Sequence, residues 1–170
     1  MSWTEHVKRL VEYNQWANGK VLAACKGLSD EELRRDRGAS RGSLSALLWH
    51  VGQVEAGWFS RASETEMEPF CQPTDPLAAL AEVIERVDAK MIEWAEGVTE
   101  EALAKEVRFS RPGEPEYKAI AWQPLTTLLM HSTQHRAEIG MMLAAVDRSP
   151  GDLDFVYFAS EKGIGFLEAE

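Results

Sequence analysis

Cysteine is scarce in this chain: Cys25 and Cys71 are the two among 170 residues, with no C-x-x-C pairing. That excludes a disulfide-stapled scaffold or a cysteine-built zinc module and points to two reduced thiols in a cytoplasmic protein. Basic residues are also few, with 18 Lys and Arg against 28 Asp and Glu and a net charge of −10. A surface of that sign repels nucleic-acid phosphates and anionic lipid, so neither is expected as a partner. No apolar run reaches the roughly 20 residues of a membrane span. The opening stretch Met1 to His6 lacks the basic-then-apolar pattern of a signal peptide. No internal repeat is evident. What remains suits one domain, 1–170, with 45% hydrophobic residues to build a core and small molecules as the expected partners.

Histidine is scarce too, with four in all, and its placement is informative. His131 and His135 stand four apart in Leu-Leu-Met-His-Ser-Thr-Gln-His-Arg, and His50 lies upstream in Leu-Leu-Trp-His-Val-Gly-Gln. A helix brings i and i+4 side chains onto one face. At about 100° per residue, Leu128, His131, His135, Ile139, Met142 and Val146 form one narrow stripe. A lone histidine on an apolar face is usually a hydrogen-bonded core residue. Two imidazoles on the same apolar stripe are costly to bury without partners. A shared cation held by neutral imidazoles removes that cost, with His50 closing the site from another helix. His6 reads as a surface or stripe-edge residue rather than a fourth ligand.

The helical pattern supports that geometry. Ser2 with Glu5 reads as a capping box opening a first helix whose stripe runs Val7, Leu10, Val11, Asn14, Val21 and Leu22, with Gly27 as its stop. Ser29 with Glu32 opens a short helix at Asp30 to Arg34, and 35–42 reads as loop. Ser43 opens a second long helix to about Ala62, with Leu44, Leu47, Val51, Val54 and Trp58 inward and His50 at the stripe's edge. After a polar connector, Asp75-Pro76 caps and starts a third, with Leu77, Leu80, Ile84, Val87, Met91 and Trp94 inward. Thr99 caps a further short turn. Alternation at Val107 and Phe109, then Pro112-Gly113 and an extended 117–122, fits a small β-hairpin or an irregular crossover. Pro124 starts the fourth long helix, running to about Val146. Phe155, Tyr157 and Phe158 in the tail are expected to cover one end of the core. These elements add up to an all-α four-helix bundle, an architecture that builds metal sites from facing helices.

Several short motifs resemble those of the DinB/YfiT-like family of metalloenzymes over nearly the whole chain. Tyr13-Asn14-Gln15-Trp16-Ala17-Asn18 resembles the family's Y-N-x-W-A-N stretch. Ser43-Leu44 through Leu48-Trp49-His50 resembles the serine-led second helix that ends in the first ligand. His131 to Arg136 resembles the paired-ligand segment, and Asp152 or Asp154 the aspartate common in the tail. The chain departs from the pattern in two places: His135-Arg136-Ala137-Glu138 stands where the family often reads H-R-G-Q, and Gln134 stands where an extra histidine is frequent. The resemblance implies an up-down-down-up bundle, a divalent metal held by three histidines, and a homodimer. Members with assigned activities include transferases and isomerases that use low-molecular-weight thiols.

Three neutral imidazoles leave a coordination position open. Zinc and nickel suit nitrogen ligands, and so do iron and copper, so ligand identity does not choose among them; zinc or nickel is the expectation, with iron next. A cation there ionises water or a thiol near neutral pH. The reading is a metal-dependent transferase using a small thiol. A metal-dependent hydrolase and a non-catalytic metal or small-molecule binding protein of a stress response stay open as alternatives. Glu138, one turn beyond His135, is a candidate base. Asn14, at the centre of its apolar stripe, either orients a ligand or substrate or bonds a neighbouring backbone group. Gln53 and Glu55 read as solvated bundle residues. Trp16 points outward, and together with Trp3 and Trp94 it gives the chain more tryptophan than one small core readily absorbs, so a homodimer through a helix-rich face is expected.

Overall fold

The computed structural model describes residues 1–110 and 113–165. Its elements are α1 (Trp3–Cys25), α2 (Asp30–Arg34), α3 (Leu44–Ser63), α4 (Leu77–Gly97), α5 (Glu100–Ala104), β1 (Glu106–Phe109), β2 (Tyr117–Ile120), α6 (Trp122–Ala144) and α7 (Phe155–Glu161). Side chains start the helices where expected. Ser2, Ser29, Ser43 and Thr99 each accept a hydrogen bond from the backbone N–H three residues on, which satisfies a donor the first turn otherwise leaves unpaired.

The four long helices form a ring in the order α1, α4, α3, α6. Their directions follow from the pairs that meet. The start of α1 faces the end of α4 through Lys8 and Glu96. Gly52 sits against Ile84, and Phe59 against Trp94, so α3 and α4 run parallel. Ser40, just before α3, reaches Glu138 late in α6, so those two are antiparallel. Asn14 meets Arg136, and Lys26 meets Arg148, so α1 and α6 are parallel. The bundle is therefore up-down-down-up. β1 and β2 pair antiparallel with Val107 opposite Ala119, so the crossover before α6 carries the hairpin. The Pro112 half of its expected turn lies outside the described residues.

Two apolar clusters fill the bundle. One holds Val21, Leu47, Val51, Ile84 and Ile139, and the other Val11, Phe59, Val87, Met91 and Leu128. Each fully buried side chain of this kind stabilises the fold by about 1.5–3 kcal/mol. Between them lies a polar layer to which every long helix contributes. Asn14, Asn18, Glu55, Asp88 and Arg136 are all buried. Arg136 donates to Asn14 Oδ1 at 2.7 Å and Asn18 Oδ1 at 2.9 Å and lies 3.7 Å from Glu55. The two amides donate in turn to Glu55 and Asp88, with Asn14 at 2.9 Å from Glu55 and Asn18 at 3.2 Å from Asp88. One cation faces two carboxyls here. Burial, then the neighbouring Glu55, pushes the Asp88 carboxyl well above the usual range, so it holds its proton beside the Arg136–Glu55 ion pair.

Several sequence expectations are corrected. Glu55 is not solvated: it is fully buried, because α3 is covered by α4 on one side and α6 on the other, and its inward face is wider than one stripe. For the same reason Gly52, Ala56 and Phe59 are buried while Val54 and Trp58 are only half-buried. Asp75 does not cap α4: its carboxylate accepts from Gln72 N–H, and Pro76 occupies the cap position. The last long helix begins at Trp122, not Pro124, which sits within its first turn. Of Phe155, Tyr157 and Phe158 in the tail, Phe158 is inserted into the core, whereas Phe155 and Tyr157 remain exposed. Trp16 is not a free outward surface. Phe158 of α7 packs on its ring at 5.8 Å, and its indole N–H donates to Glu161.

The polar layer predicts a non-additive pair of substitutions. Asp88→Asn replaces a neutral group with a neutral near-isostere and is expected to cost less than about 1 kcal/mol at pH 7. Glu55→Gln alone lets Asp88 ionise and take over the pairing. The double substitution strands Arg136 and is expected to cost about 3–5 kcal/mol, more than the two singles together. The native proton on Asp88 is absent from an unfolded carboxyl above about pH 4, so its stabilisation is lost as pH rises through the raised folded value. Urea unfolding of the four proteins checks this; equal losses for Asp88→Asn and the double variant would reject it.

Candidate metal centre

Helix geometry places His131 and His135 one turn apart on α6, and the antiparallel packing of α3 brings His50 across from them. The ring centroids lie 4.9 Å apart for His50–His131 and for His50–His135, and 4.4 Å for the pair on α6. One donor nitrogen from each ring falls within 4.8 Å of the others. Tetrahedral ligands at zinc-like bond lengths stand about 3.3 Å apart, so small side-chain rotations close the set. His50 and His135 are buried and His131 is half-buried. His131 Nδ1 is buried with no hydrogen-bond partner, a polar atom whose cost a bound cation or a small movement would relieve.

The electrostatics favour the neutral form of His50 and His131. Burial, followed by the positive charge of Arg41, pushes His50 down to about 4. His131 is lowered by burial and by His135. Neutral imidazole is the form that ligates a metal. Glu138 lies beside the set. Its Oε1 is 2.8 Å from His135 Nδ1, close but off the line of a ring hydrogen bond, and its Oε2 accepts from the backbone N–H of Ser40 at 3.1 Å. The Ser40 side chain first, and then this backbone bond, hold its carboxyl below the usual range against the effect of burial. A cleft of about 370 Å³ opens next to Glu138, walled by Gly38, Ala39, Met141 and Met142. The donor set and the neutral rings fit a divalent ion.

The residue-type chemistry of Asn14 is spent elsewhere. Its amide bonds Glu55, Asp88 and Arg136, all side chains, and none of these bonds reaches a histidine. Arg136 follows His135 in the chain, so this layer fixes the α6 turn that carries the ligand. His6 stacks on Trp3 near the start of α1 and takes no part in the cluster. Sequence reasoning passed over Arg41, Asn18, Asp88 and Arg136. The signal for two of them was present: Asn18 stands four residues after Asn14, and Asp88 four after Ile84 on the apolar stripe of α4. Arg41 lies in a loop, where no periodicity points.

The DinB family profile matches residues 1–164. The chain belongs to the DinB family. Protein DinB of Bacillus subtilis (strain 168) is similar to it, at 26% identity over 160 residues that cover 86% of this chain and 90% of that protein. No helix among the described residues of this DinB-family chain is long and apolar enough to cross a membrane.

Protonation and metal should compete at the three rings. An imidazole in the unfolded chain titrates near 6.5, and His50 in the fold near 4. The unfolded state therefore binds the proton first, and the metal-free protein should lose stability as pH falls from about 6.5 to about 4. Metal occupancy should fall as pH drops, because ligation requires deprotonated nitrogen. Elemental analysis after dialysis at stepped pH checks it. Occupancy unchanged below pH 4 would exclude imidazole ligation.

Proposed function

We propose that this DinB-family chain is a cytoplasmic, divalent-metal-dependent enzyme that transfers a low-molecular-weight thiol onto a small electrophile. The observation that carries the reading is the convergence of His50, His131 and His135, with donor atoms within 4.8 Å of one another. A divalent ion held there, zinc or nickel by donor chemistry, leaves one position open and supplies the Lewis acidity that ionises a thiol near neutral pH. Glu138, whose Oε1 lies 2.8 Å from His135 Nδ1, is the candidate base for the thiol proton. The adjacent cleft, lined by Met141 and Met142, offers an apolar wall for the electrophile. Asn14 acts at one remove, by holding Arg136 and with it the turn of α6 below His135.

The test is turnover with a panel of small thiols and alkyl or epoxide electrophiles, using protein loaded with zinc or nickel. His131→Ala and His135→Ala should lose both metal and activity while keeping helical content. Glu138→Gln should lower metal affinity or turnover by about 10- to 100-fold. Activity that survives removal of the metal would reject the reading, and metal-dependent release of water-derived products from ester substrates would convert it to a hydrolase.

The protein is further proposed to be a homodimer. With Trp16 covered by α7, the surface that supports this is the apolar groove between α1 and α6, where Leu10, Leu129 and the exposed Met130 line a space of about 570 Å³. Light scattering should give about twice the 19.0 kDa chain mass, and Met130→Glu should lower it without loss of metal. A mass of one chain at micromolar concentration would reject the dimer.

A further inference from the structure

Arg41 stands at the mouth of the three-histidine set. Its guanidinium donates to His50 Nε2 at 3.1 Å. A neutral imidazole has one lone pair for one acceptor bond and carries a proton on the other nitrogen. If Nε2 accepts from Arg41, Nδ1 bears the proton, and neither nitrogen is free for a cation. If either nitrogen holds a cation, Nε2 is engaged or protonated and cannot accept. The Arg41–His50 bond and ligation by His50 are therefore mutually exclusive, and Arg41 must let go when the site fills.

It cannot go far. The turn that presents it is tied at several points. Arg37 N–H donates to Gly42 O and Gly42 N–H to Ala39 O. Ser40 N–H is held by Glu138, and Ser43 caps α3. Gly38 and Gly42 take the positive φ values of 74° and 78° that this tight path requires. A released guanidinium still within reach of the site meets a divalent charge, which repels it unless an anion lies between them. Glu138 is the acidic side chain beside the cluster, and it is already engaged by Ser40.

Resting on the metal-site reading above, we infer that Arg41 is the specificity residue of this site, and that it selects ligands with an anionic group, such as a carboxylate, beside the atom that meets the metal. Arg41 acts as an occupant of His50 before loading and as the counter-charge for the incoming anion afterwards.

Cobalt(II) serves as a spectroscopic probe, with 3-mercaptopropionate and 2-mercaptoethanol as an anionic and a neutral thiol. Thiolate coordination is read from the charge-transfer band, and cobalt affinity from chelator competition. Arg41→Ala should bind cobalt several-fold more tightly, because a competitor for His50 and a repelling charge are gone; a merely structural loop residue would weaken binding when removed. The preference of wild-type protein for 3-mercaptopropionate should fall about tenfold in Arg41→Ala, equivalent to about 1.4 kcal/mol, and be largely kept in Arg41→Lys. If cobalt binds and depends on His131, but the thiol preference is the same in Arg41→Ala as in wild type, the inference fails and the metal site stands. If cobalt does not bind, or binds equally well in His131→Ala, the metal reading fails and the inference with it.

Discussion

One guanidinium holds the centre of this bundle together. Arg136 of α6 is buried at 2% exposure between two apolar clusters, where an unpaired charge would not be tolerated. It survives because Asn14 and Asn18 of α1 accept its protons and Glu55 of α3 supplies the opposite charge. Asp88 of α4 completes the set by keeping its own proton. All four long helices must be in register for these groups to meet. An apolar core tolerates small slips, whereas a hydrogen-bonded layer does not, since each slip leaves a buried polar atom without a partner.

That layer sets the position of the candidate metal centre. Arg136 directly follows His135, so the rotation of α6 that buries the guanidinium against α1 turns the histidine toward α3. The two residues stand about 100° apart around one helix, one facing a structural layer and the other the histidine set. Rigidity on one side and access on the other is the arrangement a ligand site needs, because ligand positions must be fixed before the ion arrives.

The mouth itself is controlled by a short loop rather than by a helix. Residues 35–42 carry Ser40 onto Glu138 and Arg41 onto His50. The same loop walls the cleft that Glu138 lines. Loops tolerate sequence change better than packed helices, so a shared bundle and ligand set can accommodate different substrates through this segment, in keeping with the separation of fold from function.

Much of the architecture was legible along the chain. The serine and threonine caps, the stripes of Val7, Val11, Leu80 and Ile84, and the i, i+4 spacing of His131 and His135 are local facts, set by the helix repeat and by hydrogen bonds a few residues long. The hairpin at Val107 and Ala119 was legible for the same reason. What the sequence could not decide was how far each helix slides and turns against its neighbours. That register brings His50 to the pair on α6, sinks Glu55 into the core, lays Phe158 over Trp16 and sets Arg41 on His50. Each of these contacts joins residues with no fixed local spacing, and each depends on packing summed over the whole bundle, so only the tertiary structure determined them.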